Sequence, residues 1–151
     1  MILDRMDLYV VAVPGIDALR KYYPTNTCTH LDSPDVILKL RTKDGTCGLG
    51  QQEIQGTGTS FLRREFELVR GHDPLDLDPQ RYTPGMMRAL YDLQGKALGW
   101  PVHKLLGRKV RDRVPVAYWT ANNASPEDTA AEAVVAVNRG FRTYKWHTSR
   151  Q

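Results

Sequence analysis

The last third of the chain alternates strand, helix and strand patterns, and this alternation constrains the fold more than any other feature. Residues 114–119 and 141–145 are rich in β-branched and aromatic residues. Ser125 and Pro126 supply a capping residue and a first-turn proline for the helix between them. A strand–helix–strand unit with short connections predicts parallel strand pairing. Because one such unit cannot close a parallel sheet, we expect the fold to need further units beyond Gln151.

The first half of the chain predicts a small antiparallel meander. Strand patterns cover residues 7–13, 36–42 and 46–52, and Lys43-Asp44-Gly45 is typical of a hairpin turn. A stretch of about 20 residues, 16–35, has no clear periodicity, and loops of that length are usually functional or mobile.

The middle of the chain predicts two helices. Thr57 or Thr59 can cap the first, which ends at Arg70-Gly71. Thr83 and Pro84 begin the second, which stops at Gly99 and Pro101. Its apolar residues share one face at helical spacing and are predicted to be buried: Met86, Leu90, Leu93 and Ala97.

Composition and charge exclude several classes of protein. The chain is 41% apolar with a net charge of +4, and its charges of both signs are interspersed, which disfavours a nucleic-acid-binding stripe. No apolar run approaches the roughly 18 residues of a membrane span, and the N-terminus does not resemble a secretory signal. The two cysteines, Cys28 and Cys47, form no CxxC unit, so we expect reduced thiols and a cytoplasmic location.

Two apparent motifs are better explained by ordinary structure. Gly48-Leu49-Gly50 lacks the third glycine of a nucleotide loop, since position 53 is Glu53; we interpret the glycines from Gly45 to Gly58 as turn residues. The four histidines have no metal-ligand spacing among themselves or with the cysteines.

Lys145 and His147 follow a different pattern. They lie two residues apart at the carboxyl end of the second predicted parallel strand, where catalytic groups gather in barrel enzymes, and extended backbone places both on one face. A neighbouring cation lowers the pKa of a basic group and favours the neutral form that a general base requires. The alternative is an ordinary strand end.

Two segments resemble a known family. The run Asp92-Leu93-Gln94-Gly95-Lys96, followed by Pro101-Val102 and by Leu105-Leu106-Gly107, is similar to the helix-and-turn signature of the mandelate racemase/muconate lactonizing enzyme family of the enolase superfamily. Residues 140–147 resemble the segment that ends in that family's Lys-x-Lys. The order of the predicted elements agrees with the family over the whole chain.

The resemblance implies an α+β capping domain, an antiparallel meander plus helices, over residues 1–107. Residues 108–151 would then begin a (β/α)₇β TIM-like barrel, a fold that takes about 200 residues or more. It also implies Mg²⁺ as cofactor, a small carboxylate as substrate and a homo-oligomer. From the charge and hydropathy patterns, we expect neither nucleic acid nor membrane as partner. The metal ligands are expected on later barrel strands, so no residue of this chain is assigned to the metal.

Carried over residue by residue, the resemblance makes Lys145 the first lysine of Lys-x-Lys, which modulates its neighbour and can contact the substrate carboxylate. His147 replaces the second lysine, the usual base that removes the proton α to the carboxylate. Since imidazole is a competent base near neutral pH, proton abstraction remains possible. A dehydratase acting on an acid sugar is the preferred function, and a racemase, epimerase or cycloisomerase is the alternative within the family.

The same resemblance predicts substrate contacts in two capping-domain loops, residues 16–35 and 53–57. The candidates are Arg20, Lys21, Tyr22, Tyr23, His30 and Glu53. A mobile surface loop is the alternative for this region. For the whole chain, the alternative of another class is a truncated, non-catalytic interaction module.

Overall fold

The computed structural model describes residues 1–12, 34–54, 58–119 and 125–146. Their contacts divide them into two compact units, one ending at Val110 and one beginning at Arg111. The domain boundary predicted after Gly107 stays a prediction.

The first unit contains a three-stranded antiparallel meander. Strands β1 (Leu3–Val11), β2 (Asp35–Thr42) and β3 (Cys47–Glu53) pair in the order β1-β2-β3, which confirms the predicted meander. β1 begins four residues before the predicted strand, because the end of β2 supplies ladder partners for its first residues: Leu3 pairs with Thr42, and Arg5 with Arg41.

The hairpin turn between β2 and β3 lies where the sequence predicts it. Gly45 has φ +88°, a left-handed conformation that glycine adopts without steric cost. The Asp44 carboxylate accepts hydrogen bonds from Thr42 Oγ1 at 2.6 Å and Thr46 N at 3.1 Å. These two bonds lower the pKa of Asp44 and hold the turn closed.

Helices cover one face of the meander. Helix α1 spans Ser60–Val69, α2 spans Pro84–Leu98 and the short α3 spans Val102–Leu106, with two single-turn 3₁₀ helices, Pro74–Asp76 and Pro79–Arg81, between α1 and α2. The core between sheet and helices consists of buried residues from every layer: Leu3, Val36, Leu38, Leu40, Ile54, Leu62, Phe66, Val69, Met86, Ala89, Leu90 and Leu93. The predicted face of α2 is buried as expected, except that Ala97 is half-buried.

A threonine precedes each of the helices α1 and α2, but neither threonine caps its helix with its side chain. Thr59 and Thr83 stand at the N-cap positions without a side-chain capping hydrogen bond. Thr83 instead donates to the Glu65 carboxylate, from its backbone N at 2.8 Å and its Oγ1 at 2.6 Å. The predicted cap residue of α2 therefore ties the start of α2 to α1.

The glycines of β3 are not turn residues, which corrects the interpretation of that region. Gly48 and Gly50 lie inside the strand and face α2. A Cβ at Gly50 would overlap the Gly85 carbonyl oxygen, and one at Gly48 would overlap that of Ala89. The missing side chains let the backbone of α2 approach the strand directly.

Three side chains of α2 cover the open edge of β3. Lys96 Nζ donates to the Cys47 carbonyl at 2.6 Å, the Asp92 carboxylate accepts from Leu49 N at 2.9 Å, and Arg88 Nη1 donates to the Gln51 carbonyl at 2.6 Å. The helical residues are four apart, which is about 6 Å along a helix. The strand residues are two apart, which is about 6.8 Å along a strand. The two repeats match, so successive helical turns bind successive outward-facing groups of the strand.

The second unit contains a parallel β–α–β arrangement. Strand β4 (Tyr118–Trp119) pairs with β5 (Tyr144–Lys145), and helix α4 (Pro126–Asn138) connects them. The parallel pairing and the Ser125 cap are confirmed, since the Ser125 hydroxyl accepts from Asp128 N at 3.1 Å. Both strands are shorter than predicted: Val114 and Val116 are each 70% exposed. Each strand pairs with only two residues of the other, so the backbone hydrogen bonds between them extend over two residues.

None of the helices within the described ranges has the length and apolarity needed to cross a bilayer.

Substituting Gly50 tests the close approach of α2 and β3. We expect Gly50→Ala to lower the free energy of unfolding by about 3 kcal/mol, the upper end of the usual cost of overpacking, because the added methyl meets backbone that cannot rotate away. At Gly45 an added Cβ meets nothing within 4 Å. Gly45→Ala should therefore lower the free energy of unfolding by only about 1–2 kcal/mol, the cost of holding an alanine in the left-handed conformation. Urea unfolding of both variants measures the difference, and equal losses would contradict the close approach.

Substituting Asp92 tests the covered edge of β3. Asp92→Ala leaves the Leu49 amide without its acceptor, and we expect a loss of about 1–2 kcal/mol together with faster hydrogen exchange at that amide. Asp92→Asn keeps an acceptor oxygen and loses only the exposed ion pair with Lys96, worth about 0.5 kcal/mol. Unchanged exchange at Leu49 in the alanine variant would show that the edge is not held by this bond.

Candidate functional site

Lys145 ends strand β5, at the carboxyl end of the parallel pair. It lies beside Trp119, the last residue of β4, in the pairing register, and its side chain is exposed. The structure places Lys145 at the end of a parallel strand, as the sequence predicts. His147, the proposed base, lies outside the described residues.

Two tyrosines hold the parallel strands against α4. The Tyr118 hydroxyl donates to Glu132 Oε2 at 2.6 Å, and the Tyr144 hydroxyl donates to the Thr129 carbonyl at 3.2 Å. The two tyrosine rings stack with centroids 6.0 Å apart, and Phe141 meets the Tyr118 ring edge-on at 5.3 Å. Because both tyrosines are hydrogen-bonded to the same helix, they fix which face of each strand is turned toward α4.

The tyrosines also determine which way the neighbouring residues point. Since successive side chains of a strand alternate between its two faces, Tyr118 and Tyr144 face α4, and Trp119 and Lys145 project from the opposite face. Sequence reasoning missed Trp119 as a neighbour of Lys145. The pairing register relates the two residues, and no local pattern in either strand encodes it.

Glu132 changes the acidity of Tyr118. The hydrogen bond to the Glu132 carboxylate is the main cause that raises the pKa of Tyr118 above its usual value, and burial of the phenol adds to it. A raised pKa in the folded state means that this stabilisation is fully present below the unfolded pKa of about 10 and is lost as the pH rises through the folded value.

The predicted substrate contacts divide between described and undescribed residues. Glu53 is the last residue of β3, is half-buried and pairs with Asp35. Its backbone carbonyl accepts a hydrogen bond from Gln52 Nε2 at 3.1 Å. The other candidates lie outside the described residues: Arg20, Lys21, Tyr22, Tyr23 and His30.

A surface groove of about 460 Å³ in the second unit lies at the amino ends of β4 and β5. It is lined by residues that precede the two strands and by the end of the α4 segment: Arg113, Val114, Pro115, Val116, Arg139, Gly140, Phe141, Arg142 and Thr143. Lys145 lies at the other end of β5 and does not line this groove. In barrel enzymes the carboxyl ends of the strands carry the chemistry, so the groove is a weaker candidate than the surroundings of Lys145.

The signature from Asp92 to Gly107 has a structural role in the first unit. Asp92 and Lys96 bind the edge of β3, and Gly95 makes room for the Trp100 carbonyl, which a Cβ would approach to 2.7 Å. Gly99 ends α2 in the left-handed conformation at φ +65°, as helix C-termini commonly do. The contacts of these residues shape the fold of the first unit.

Metal-binding side chains are not clustered in the described part of the chain. Among residues 1–12, 34–54, 58–119 and 125–146, no group of three or more His, Cys, Asp or Glu side chains is arranged to hold a metal ion. Cys47, the described cysteine, is a free thiol, and Cys28 lies outside the described residues.

Substituting Glu132 tests the bond that ties β4 to α4. We expect Glu132→Gln to lower the pKa of Tyr118, because a neutral amide neither accepts a charge-assisted hydrogen bond nor repels the tyrosinate. NMR titration with ring-labelled tyrosine measures the change, and Glu127→Gln on the same helix provides the control. An unchanged Tyr118 titration would mean that the hydroxyl does not donate to Glu132.

No protein-family model matches the sequence. Relatives are nevertheless clear: the D-galactonate dehydratase of Xanthomonas campestris pv. campestris is 31% identical over 149 aligned positions, which cover 83% of this chain and 38% of the relative. The D-galactonate dehydratase of Variovorax paradoxus is 30% identical over 130 positions, 73% of this chain and 34% of the relative. The chain thus spans little more than a third of the length of these curated relatives.

Solved structures share the fold. The muconate cycloisomerase of Pseudomonas fluorescens superimposes with a TM-score of 0.68 at 28% identity, over 96% of this chain and 42% of that chain. An enolase from Streptomyces coelicolor gives a TM-score of 0.76 at 24% identity, over 97% of this chain and 44% of that one. The fold agrees with that of these solved structures, the sequence is at least 30% identical to the two D-galactonate dehydratases, and the chain belongs to the mandelate racemase/muconate lactonizing enzyme family of the enolase superfamily.

Proposed function

We propose that the full-length protein carrying this chain is an acid-sugar dehydratase that removes the proton α to a substrate carboxylate. The observation that carries the proposal is the position of Lys145, a cation at the carboxyl end of a parallel strand. The similarity to D-galactonate dehydratases supports a hydroxylated carboxylate as substrate.

In this proposal Lys145 and His147 divide the work. The Lys145 ammonium binds the substrate carboxylate, because a compact cation attracts the charge that grows there as the proton leaves. The His147 imidazole takes the α-proton, and the electron pair of the C–H bond spreads into the carboxylate. The same pair then forms the carbon–carbon double bond as the hydroxyl leaves the neighbouring carbon. A proton from the catalytic group expected on the opposite face of the substrate joins that hydroxyl to release water, and the resulting enol tautomerises to the 2-keto acid.

Mg²⁺ is part of the proposal because the family resemblance implies it. When bound, the ion would offset the second negative charge that develops on the substrate. Its ligands are expected on barrel strands that follow this chain, together with the catalytic group on the opposite face of the substrate. Glu53 and the residues Arg20, Lys21, Tyr22, Tyr23 and His30 remain proposed substrate contacts on the strength of the resemblance.

A second candidate within the family is a cycloisomerase, which the structural similarity to muconate cycloisomerase favours. Both reactions pass through an enolate whose α-carbon loses or gains a proton, and they differ in whether a hydroxyl leaves the neighbouring carbon. Release of a 2-keto-3-deoxy acid from the substrate therefore distinguishes them. α-Proton exchange in D₂O without loss of water would favour an isomerase or racemase.

Turnover by variants tests the roles of Lys145 and His147. In the full-length protein with Mg²⁺ and a panel of aldonic acids including D-galactonate, we expect His147→Asn and Lys145→Ala each to lower kcat by about 10²–10⁴-fold. Formation of the 2-keto acid, measured as its semicarbazone, gives the rate.

Arg142→Ala is the matched control, because it removes an exposed cation that lies before the start of the same strand. Its turnover should equal that of the parent. Full turnover by His147→Asn would show that the base is another residue. A full-length sequence without acidic metal ligands on its later strands would remove the basis for Mg²⁺-dependent chemistry.

A further inference from the structure

Lys145 has an aromatic neighbour on its own side of the parallel pair. The register places Trp119 directly beside Lys145, and neighbouring strands lie about 4.8 Å apart. Tyr118 and Tyr144 both bind α4, so the alternating residues Trp119 and Lys145 share the face turned away from the helix. The indole is 39% exposed at the end of the unit where the reacting groups are proposed to lie.

A cation beside a partly exposed indole suits a particular kind of ligand. An ammonium binds a carboxylate, whereas the exposed part of an indole ring is a flat apolar surface. A small hydroxylated carboxylate has complementary parts, namely a charged end and a carbon chain whose C–H bonds can lie against an apolar surface. Binding sites for small molecules commonly combine apolar walls with a few polar groups in this way.

We propose that Trp119 is a substrate-contacting residue that packs against the carbon chain of the carboxylate whose charged end Lys145 binds. The inference rests on the proposed function, and it adds a specificity residue from β4 that neither the signature nor the Lys-x-Lys resemblance includes. Because the indole contacts a part of the substrate that does not react, it binds the substrate and the transition state about equally. Its loss therefore raises KM more than it changes kcat.

Trp146 provides a matched control within the same unit. Its ring stacks on Tyr144 with centroids 6.0 Å apart and an interplanar angle of 23°. Since Tyr144 binds α4, Trp146 lies on the helix side of the pair. Trp119 and Trp146 are thus two partly exposed tryptophans near Lys145 on opposite faces, and they differ in whether a substrate held by Lys145 can reach them.

Kinetics of the full-length protein with Mg²⁺ and D-galactonate test the inference. We expect Trp119→Ala to raise KM by about tenfold while kcat changes by less than about threefold, which is the pattern of lost uniform binding. Trp119→Leu, which keeps bulk without the aromatic plane, should raise KM as well and serves if the alanine variant does not fold. Trp146→Ala should keep the parent KM.

Fluorescence supplies a readout that does not depend on turnover. Addition of D-galactonate without Mg²⁺ should change the tryptophan emission of the parent protein, and this change should be smaller in Trp119→Phe and undiminished in Trp146→Phe. Equal changes in the two phenylalanine variants would overturn the inference.

The two proposals fail in different ways. If Lys145→Ala loses turnover while Trp119→Ala and Trp146→Ala have the same KM, the role of Trp119 is wrong and the proposed function stands. If Lys145→Ala keeps full turnover, the proposed site itself is wrong, and the inference for Trp119 falls with it.

Discussion

The close contact between α2 and β3 supports the whole first unit. A sheet of three strands has one face to bury and two edges to protect, and α2 contributes to both requirements at β3. Gly48 and Gly50 carry no side chain, so the backbone of α2 lies against the strand. At that distance Arg88, Asp92 and Lys96 reach the outward-facing groups of the strand. A bulkier residue in the strand would push the helix away and leave those groups to water.

The same contact explains why the signature is informative about fold rather than reaction. Asp92 and Lys96 bind backbone groups of β3, Gly95 makes room for the Trp100 carbonyl, and Gly99 ends the helix. Each residue type is required by geometry within the first unit.

Much of the architecture could be predicted from local patterns. Helical spacing located the buried face of α2, the Asp44-Gly45 pair located the hairpin turn, and Ser125-Pro126 located the start of α4. Strand lengths were predicted less well. β1 is longer at its start because β2 offers it partners, and β4 is shorter because β5 pairs with only two of its residues. Thr59 and Thr83 stand at the predicted cap positions without a capping hydrogen bond from the side chain. The Thr83 hydroxyl donates to Glu65 instead.

The sequence alone determined the order of the elements, the parallel sense of the last two strands and the place of Lys145 at a strand end. Each of these follows from torsional preferences and spacing within a few residues. The tertiary structure was needed for the role of Gly48 and Gly50, for the covering of the β3 edge and for the pairing of Trp119 with Lys145. These depend on which distant residues come within about 5 Å of each other, a result of packing and register that no local stretch of residues encodes.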